Sequence, residues 1–91
     1  MPYEVRFRDH ALEDLEDLPK KMQKRVLRAV EDRLVTEPAK YGVRLRRTLA
    51  GLWKLRVGDF RIVFEVKDAV VTIWAARNRK DVYEEVLRRR S

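Results

Sequence analysis

Four cations and a tyrosine are concentrated in residues 53–83, a stretch that otherwise has the pattern of an apolar sheet. Lys54, Arg56, Arg61 and Arg77 stand among apolar neighbours, and Tyr83 closes the stretch. Side chains that alternate with a period of two lie together on one face of a sheet. Lysine and arginine side chains bind negatively charged groups, phosphates in particular. The stretch therefore predicts a sheet with a positive face and a polyanionic partner.

Net charge points to the same kind of partner. The chain has 91 residues, a formal charge of +7 and a sequence pI of about 10.1. This length predicts one domain, residues 1–91, with a single modest core. So much positive charge on a small domain favours nucleic acid, an anionic membrane surface or an acidic protein as the partner.

Several functional classes are excluded or disfavoured by composition. The chain has no cysteine, which excludes disulfides, thiolate metal sites and a cysteine nucleophile and fits a cytoplasmic location. His10 is the only histidine, so a site of several imidazoles is excluded and a histidine-based triad is disfavoured. No apolar run approaches the roughly 20 residues that span a bilayer, and no signal peptide is evident. We therefore expect a cytoplasmic protein with no metal, no cofactor and no membrane partner.

The elements that must position the cations begin with a strand and two helices. Tyr3, Val5 and Phe7 alternate with charged residues, which predicts a half-buried strand, and Asp9 is a candidate N-cap. Apolar residues at helical spacing predict a helical hairpin divided at Pro19 and ended by Glu37-Pro38. The acidic residues of its first helix are expected on the outside: Glu13, Asp14, Glu16 and Asp17.

Residues 52–90 predict three further strands and a last helix. Two strands flank a tight turn at Gly58-Asp59, and residues 70–76 are apolar on both faces, as in a central strand. Residues 79–90 suit a short helix packed through Val82 and Val86. The order is β-α-α-β-β-β-α. It predicts an α+β fold: a small antiparallel sheet with the N-terminal helical hairpin on one face and a short C-terminal helix.

On these residues the chain resembles the RelE/ParE superfamily of bacterial and archaeal toxins. The opening YEVRF and its A-L-x-x-L helix resemble that family's first strand and helix. The segment LWKLRVGDFRIVFEV resembles its central block, and NRKDVY its closing block, with Asn78 where histidine is common. The resemblance covers essentially the whole chain and agrees with the order of elements.

The resemblance implies a toxin of a type II toxin–antitoxin system. RelE-like members cleave messenger RNA in the ribosomal A site, without metal, by attack of the ribose 2′-hydroxyl. ParE-like members act on DNA gyrase and are not known as nucleases. Both are neutralised by a cognate antitoxin, and operator DNA is bound only through the antitoxin complex. We expect the endoribonuclease, with the gyrase-directed toxin as the alternative and a nucleic-acid-binding module or inactivated toxin as a third possibility.

Candidate catalytic residues follow from the resemblance. Lys54, Arg61, Arg77 and Tyr83 match the lysine, arginines and tyrosine of RelE-like nucleases. Arg61 would neutralise the phosphate and Arg77 would clamp it near the leaving group. Lys54 is the candidate general base, because the charges of Arg56 and Arg61 favour its neutral form. Tyr83 would stack on a base or orient the 2′-hydroxyl.

Further basic residues are candidates for binding the substrate backbone. They are Arg44, Arg46, Arg47, Arg56 and Arg79. Each cation has a structural alternative as a solvated strand or loop residue, Arg79 as a salt-bridge partner, and Tyr83 as an aromatic at the edge of the core.

Two departures from the RelE-like pattern bear on the chemistry. Leu52 stands where the best-known nucleases carry a second lysine, and Asn78 removes an imidazole. Fewer proton carriers remain, so ribosome-dependent activity is expected rather than free ribonuclease activity. Glu65 would be a base only if it shared the sheet face of Arg61.

Overall fold

A five-stranded sheet lies between helices on its two faces in the computed structural model, which describes residues 2–91. The strands are β1 (Glu4–Phe7), β2 (Val43–Arg44), β3 (Trp53–Val57), β4 (Phe60–Lys67) and β5 (Val70–Asn78). Their order across the sheet is β1-β5-β4-β3-β2. Strands β2 to β5 pair antiparallel with their neighbours, whereas β1 pairs parallel with β5.

Helices precede and follow these strands. The α-helices are α1 (Asp9–Asp17), α2 (Lys20–Ala29), α3 (Pro38–Tyr41) and α4 (Val82–Arg90). One turn of π-helix, Val30–Leu34, continues α2, and we call it the π-turn. A 3₁₀ turn, Arg47–Leu49, precedes β3. Pro19 stands between α1 and α2, where its ring and its restriction of Leu18 to extended backbone end the first helix. Among residues 2–91, no helix combines the length and the apolar character needed to cross a membrane.

The predicted α+β class is confirmed. The hairpin of α1 and α2 covers one face, the meander of β3, β4 and β5 forms the centre, and α4 packs on the other face. As predicted, β5 is an interior strand and Gly58-Asp59 forms the turn between β3 and β4. The short strand β2 and the parallel pairing of β1 were not predicted, since two residues carry no period and a pattern does not give the pairing partner.

Each face of the sheet has its own apolar cluster. On the hairpin face, Phe64 is fully buried and stacks on Trp53, with ring centroids 6.3 Å apart. On the opposite face, Val82 and Val86 of α4 are fully buried against the sheet, as the helical pattern predicted. Burial of one such side chain contributes about 1.5–3 kcal/mol. These contacts fix α4, and with it Tyr83, over the cationic face.

Asp14 is buried, contrary to the expectation that the acidic face of α1 lies outside. Strand β1 pairs with β5 only as far as Ile73, so the next part of that β5 edge has no neighbouring strand. The Asp14 carboxylate accepts a hydrogen bond from the Ala76 backbone N–H at 3.1 Å. Arg89 donates to the Trp74 carbonyl at 2.9 Å. The open edge is therefore closed by two side chains.

The same two side chains form a bidentate ion pair between the first and last helices. The Arg89 guanidinium donates to both Asp14 oxygens, at 2.8 and 2.9 Å, and Nε donates to Glu85 at 3.0 Å. The Asp14 and Arg89 side chains are only 3% and 9% exposed. Hydrogen bonding to Asp14 is the main cause that raises the pKa of Arg89 above its ordinary value. The pair thus stays charged wherever the carboxylate is ionised.

We predict that Asp14→Ala destabilises the fold strongly. The substitution leaves the buried Arg89 guanidinium without its main partner, which costs about 3–5 kcal/mol in comparable pairs. Urea denaturation followed by circular dichroism measures the free energy of unfolding. Asp17→Ala, on the exposed side of the same helix, is the control and should change that free energy by less than about 0.5 kcal/mol. Equal effects of the two substitutions would contradict a structural role for the ion pair.

Candidate nucleic-acid interface

Three arginines form a row across the centre of the sheet. Arg56 on β3 lies opposite Arg61 on β4, and Arg61 lies opposite Arg77 on β5. Residues that face each other in antiparallel strands project from the same face, and like charges placed directly opposite destabilise a sheet. The row is thus stable only where carboxylates compensate the charges or where solvent or an anion meets them.

Lys54 lies on the same face, two residues before Arg56 on β3. Its ammonium nitrogen is 5.9 Å from the centroid of the Tyr83 ring on α4, at the outer limit of a cation–π contact. Both side chains are half-buried. The structure places Lys54, Arg56 and Arg61 on one face, as the alternation of residues 53–66 indicated, and α4 brings Tyr83 to Lys54.

The guanidinium of Arg61 is held by backbone rather than by acids. Its Nη1 donates to the carbonyls of Gly58 and Phe60, at 3.0 and 2.9 Å. Among residues 2–91, no carboxylate forms an ion pair with Arg61, Arg56 or Lys54. Their positive charges are therefore available to an anion.

Arg77 differs from the rest of the row because two carboxylates compensate its charge. Its guanidinium donates to Asp81 at 2.9 Å and to Asp14 at 3.2 Å, and its side chain is 34% exposed. The hydrogen bond to Asp81 is the largest cause that raises the pKa of Arg77 above its ordinary value. Asp81 immediately precedes α4. Arg77 thus links β5 to α1 through Asp14 and to the start of α4 through Asp81. Part of its side chain still faces solvent.

The remaining predicted substrate-binding arginines do not join this group. Arg44 pairs with Trp53 across β2 and β3 and lies 4.9 Å above its ring, on the hairpin side of the sheet. Arg46 and Arg47 are exposed at the 3₁₀ turn, where Arg47 has a positive φ of 59°. Arg79 is exposed beyond β5, and within the described part of the chain its side chain forms no ion pair.

A groove beside the cations includes residues that the sequence pattern did not indicate. Its volume is about 430 Å³, and we call it the β3 groove. It is lined by Arg33, Tyr41, Val43, Lys54, Leu55, Arg56 and Arg61. Tyr41 and Val43 are 42% and 56% exposed, so an aromatic ring and an apolar side chain face solvent beside the cations. Their sequence carries no period, and only the fold brings them to Lys54.

Carboxylates near this face serve structural contacts. Glu65 does share the face of Arg61, but its Oε1 accepts a hydrogen bond from the Trp74 indole at 2.7 Å. Arg8 in turn lies 3.9 Å above the Trp74 ring. Within residues 2–91, no three His, Cys, Asp or Glu side chains are grouped so that they could hold a metal ion.

Comparison with known proteins identifies the family. The family model of the ParE toxin of the type II toxin–antitoxin system parDE matches residues 5–83. The chain belongs to the RelE/ParE toxin superfamily. It is similar to the toxin RelG of Mycobacterium tuberculosis, at 36% identity over 91% of this chain and 98% of that protein. The resemblance noted in the sequence is thus confirmed, and the protein is a type II toxin.

Solved structures of toxin–antitoxin complexes share the fold. A chain of the RelBE2 complex from Mycobacterium tuberculosis matches with a TM-score of 0.82 and 34% identity, over 87% of this chain and all of that one. A chain of the archaeal RelE–RelB complex from Pyrococcus horikoshii matches at 0.70 and 30%, over 87% of this chain and 97% of that one. The similar proteins include both branches of this superfamily, ParE and RelE.

The different surroundings of Arg77 and Arg61 predict different effects on stability. Arg77→Ala leaves Asp14 and Asp81 short of a donor and should lower the free energy of unfolding by about 1–3 kcal/mol. Arg61→Ala removes two bonds to turn carbonyls on a half-exposed residue, so the decrease should stay below about 1 kcal/mol. Urea denaturation of both variants measures the difference. If Arg61→Ala lowered the free energy of unfolding more than Arg77→Ala, the assignment of a structural role to Arg77 and of an available charge to Arg61 would be wrong.

Proposed function

We propose that this toxin is a metal-independent endoribonuclease that cleaves messenger RNA in the ribosomal A site. One observation carries the proposal: Lys54, Arg56 and Arg61 lie on one sheet face beside Tyr83, with charges that no carboxylate of residues 2–91 neutralises. Repulsion among these three cations is unfavourable when no ligand is bound. A bound phosphate offsets that repulsion.

The proposed chemistry divides among these residues. Lys54 is the proposed acceptor of the proton of the ribose 2′-hydroxyl, and the 2′-oxygen then bonds to phosphorus as the bond to the 5′-oxygen breaks. Arg61 binds the phosphate oxygens, with its guanidinium already oriented by Gly58 and Phe60. Tyr83 stacks on a base or orients the 2′-hydroxyl. The products are a 2′,3′-cyclic phosphate and a 5′-hydroxyl, whose oxygen takes its proton from solvent.

Arg77 contributes charge rather than a proton. Its raised pKa keeps the guanidinium protonated, and its two acidic partners reduce its net field. It would act as a clamp only through its exposed part. With so few proton carriers, positioning must supply much of the rate, which agrees with a substrate already oriented by the ribosome.

The alternative is a non-enzymatic toxin that inhibits DNA gyrase. It is favoured by the match to the ParE family model, and by the two carboxylates that compensate Arg77. A protein-binding toxin has no need for convergent cations, and Lys54 and Arg61 would then be contact residues.

We also propose a cognate antitoxin as partner, through which alone the toxin contacts operator DNA. Two similar chains of known structure, those of the RelBE2 and archaeal RelE–RelB complexes, come from toxin–antitoxin complexes. A formal charge of +7 favours an acidic antitoxin segment on the basic face.

Cleavage by translating ribosomes tests the nuclease. Purified protein should produce new messenger 5′ ends at the A-site codon, mapped by primer extension. Arg61→Ala should slow cleavage by roughly 10²–10³-fold because the phosphate loses its charged ligand. Lys54→Ala should slow it by roughly 10²–10⁴-fold because the general base is removed. Lys67→Ala, at the exposed far end of β4, removes one positive charge that has no carboxylate partner among residues 2–91 and should leave the rate unchanged.

A supercoiling reaction with purified gyrase runs beside that assay. Wild-type protein should leave the gyrase rate unaltered. If the protein inhibits gyrase and produces no A-site cleavage, the nuclease proposal is wrong and the gyrase-directed toxin is the correct reading.

Antitoxin binding should weaken steeply as salt rises, because screening shortens the reach of surface charges to about 8 Å at physiological ionic strength. Calorimetric titration with the antitoxin from an adjacent reading frame, at low and high salt, measures the change. An affinity that does not vary with salt would place the antitoxin on another surface.

A further inference from the structure

A second basic groove lies on the other side of the β3 edge, between α2, the π-turn and the β3–β4 turn. Its volume is about 470 Å³, and we call it the arginine groove. It is lined by Arg25, Arg28, Ala29, Asp32, Arg33, Arg56, Val57 and Gly58. Four guanidinium groups thus face one carboxylate. Of the four, only Arg56 was a candidate from the sequence.

The backbone around this groove leaves room for the guanidinium groups. Gly58 has a positive φ of 61°, and an added Cβ would stand 3.2 Å from Nη1 of Arg25. A side chain there would crowd Arg25, so glycine keeps the groove open. The π-turn contributes Asp32 and Arg33 and is closed by the Val35 N–H bond to the Val30 carbonyl at 3.0 Å. Such turns are frequent at functional sites.

The charges in the arginine groove are not used for internal ion pairs. Within residues 2–91, none of its four arginines pairs with a carboxylate, and neither does Asp32 with a cation. The four arginines repel one another, and no ion pair within residues 2–91 offsets this repulsion. A concave surface of one sign concentrates counter-ions and charged ligands.

The arginine groove continues into the β3 groove. Arg33 and Arg56 line both. Strand β2 pairs only with Trp53 and Lys54, so the β3 edge is uncovered from Leu55 onward and the two grooves meet along it. Lys54 to Val57 spans about 10 Å of strand, which is longer than one phosphate group.

We propose that the arginine groove binds backbone phosphates of the same RNA strand whose scissile phosphate lies at Lys54 and Arg61. Guanidinium forks match phosphate oxygens in pairs. The exposed ring of Tyr41 stands in the β3 groove beside Arg33, where a base can stack, and this favours single-stranded RNA over an acidic peptide. The location of the scissile phosphate rests on the proposed function, whereas phosphate binding by the arginine groove does not.

Fluorescence anisotropy over a salt series tests this assignment. The probes are a 2′-O-methyl trinucleotide and a longer 2′-O-methyl oligonucleotide, neither of which can be cleaved. The double variant Arg25→Ala/Arg28→Ala is compared with Lys21→Ala/Lys24→Ala. The latter removes equal charge from exposed positions of the same helix outside the groove. Circular dichroism confirms that both variants fold.

For the longer probe, the groove variant should bind more weakly than the control. Its slope of log affinity against log salt should fall by about 0.7 for each phosphate that the variant no longer binds. The trinucleotide should distinguish the two variants less than the longer probe does, since it offers fewer phosphates to the arginine groove. Arg25→Lys/Arg28→Lys should retain the slope but bind less tightly, because lysine keeps the charge without the fork.

Three results would overturn the proposal. They are equal slopes for the groove and control variants, no binding of the longer probe by the wild type at low salt, and weakened binding of polyglutamate rather than RNA by the groove variant. The last would assign the groove to an acidic protein segment. If the groove variant binds RNA weakly but the wild-type protein does not cleave messenger RNA on ribosomes, the outcome is different. Phosphate binding by the arginine groove would then stand, and the proposed nuclease activity would be rejected.

Discussion

The ion pair between Asp14 and Arg89 is the interaction on which the other parts of the structure depend. The Asp14 carboxylate is buried, and a buried carboxylate without partners is strongly unfavourable. It accepts hydrogen bonds from Arg89, Arg77 and the Ala76 backbone, so α1, β5 and α4 meet at one group. Because Tyr83 is carried by α4, its distance from Lys54 depends on this pair as well as on the apolar cluster.

Carboxylates decide which arginines of the molecule are structural and which are available. Arg77 and Arg89 have acidic partners, and the pKa of each is raised accordingly. Arg56 and Arg61 have none among residues 2–91, although Arg61 lies directly between Arg56 and Arg77 in the row. Arg77 and Arg89 thus hold helices to the sheet, whereas the arginines around the open β3 edge face outward without a carboxylate partner among residues 2–91.

The sequence predicted the elements whose pattern is local. Alternation in residues 53–76 predicted the meander, and the same alternation placed Lys54, Arg56 and Arg61 on one face. It could not predict the role of Asp14, which resembled the other acids of α1 and whose partner lies 75 residues away. Nor could it reveal Arg33 and Tyr41 beside Lys54, since a π-turn and a two-residue strand bring them there. Arg89 likewise resembled its neighbours in a basic helix end that is usually solvated.

The sequence separation of Asp14 and Arg89 has a consequence for the order of folding. Contacts between distant residues form after local ones, because the chain entropy of closing a long loop must be overcome first. The hairpin and the meander join elements that are close in sequence, so both can form before α4 docks. Until α4 docks, Asp14 lacks its main partner, Arg89, and Tyr83 is not held beside Lys54. The surface that unites lysine, arginines and tyrosine is therefore completed only when α4 docks on the sheet.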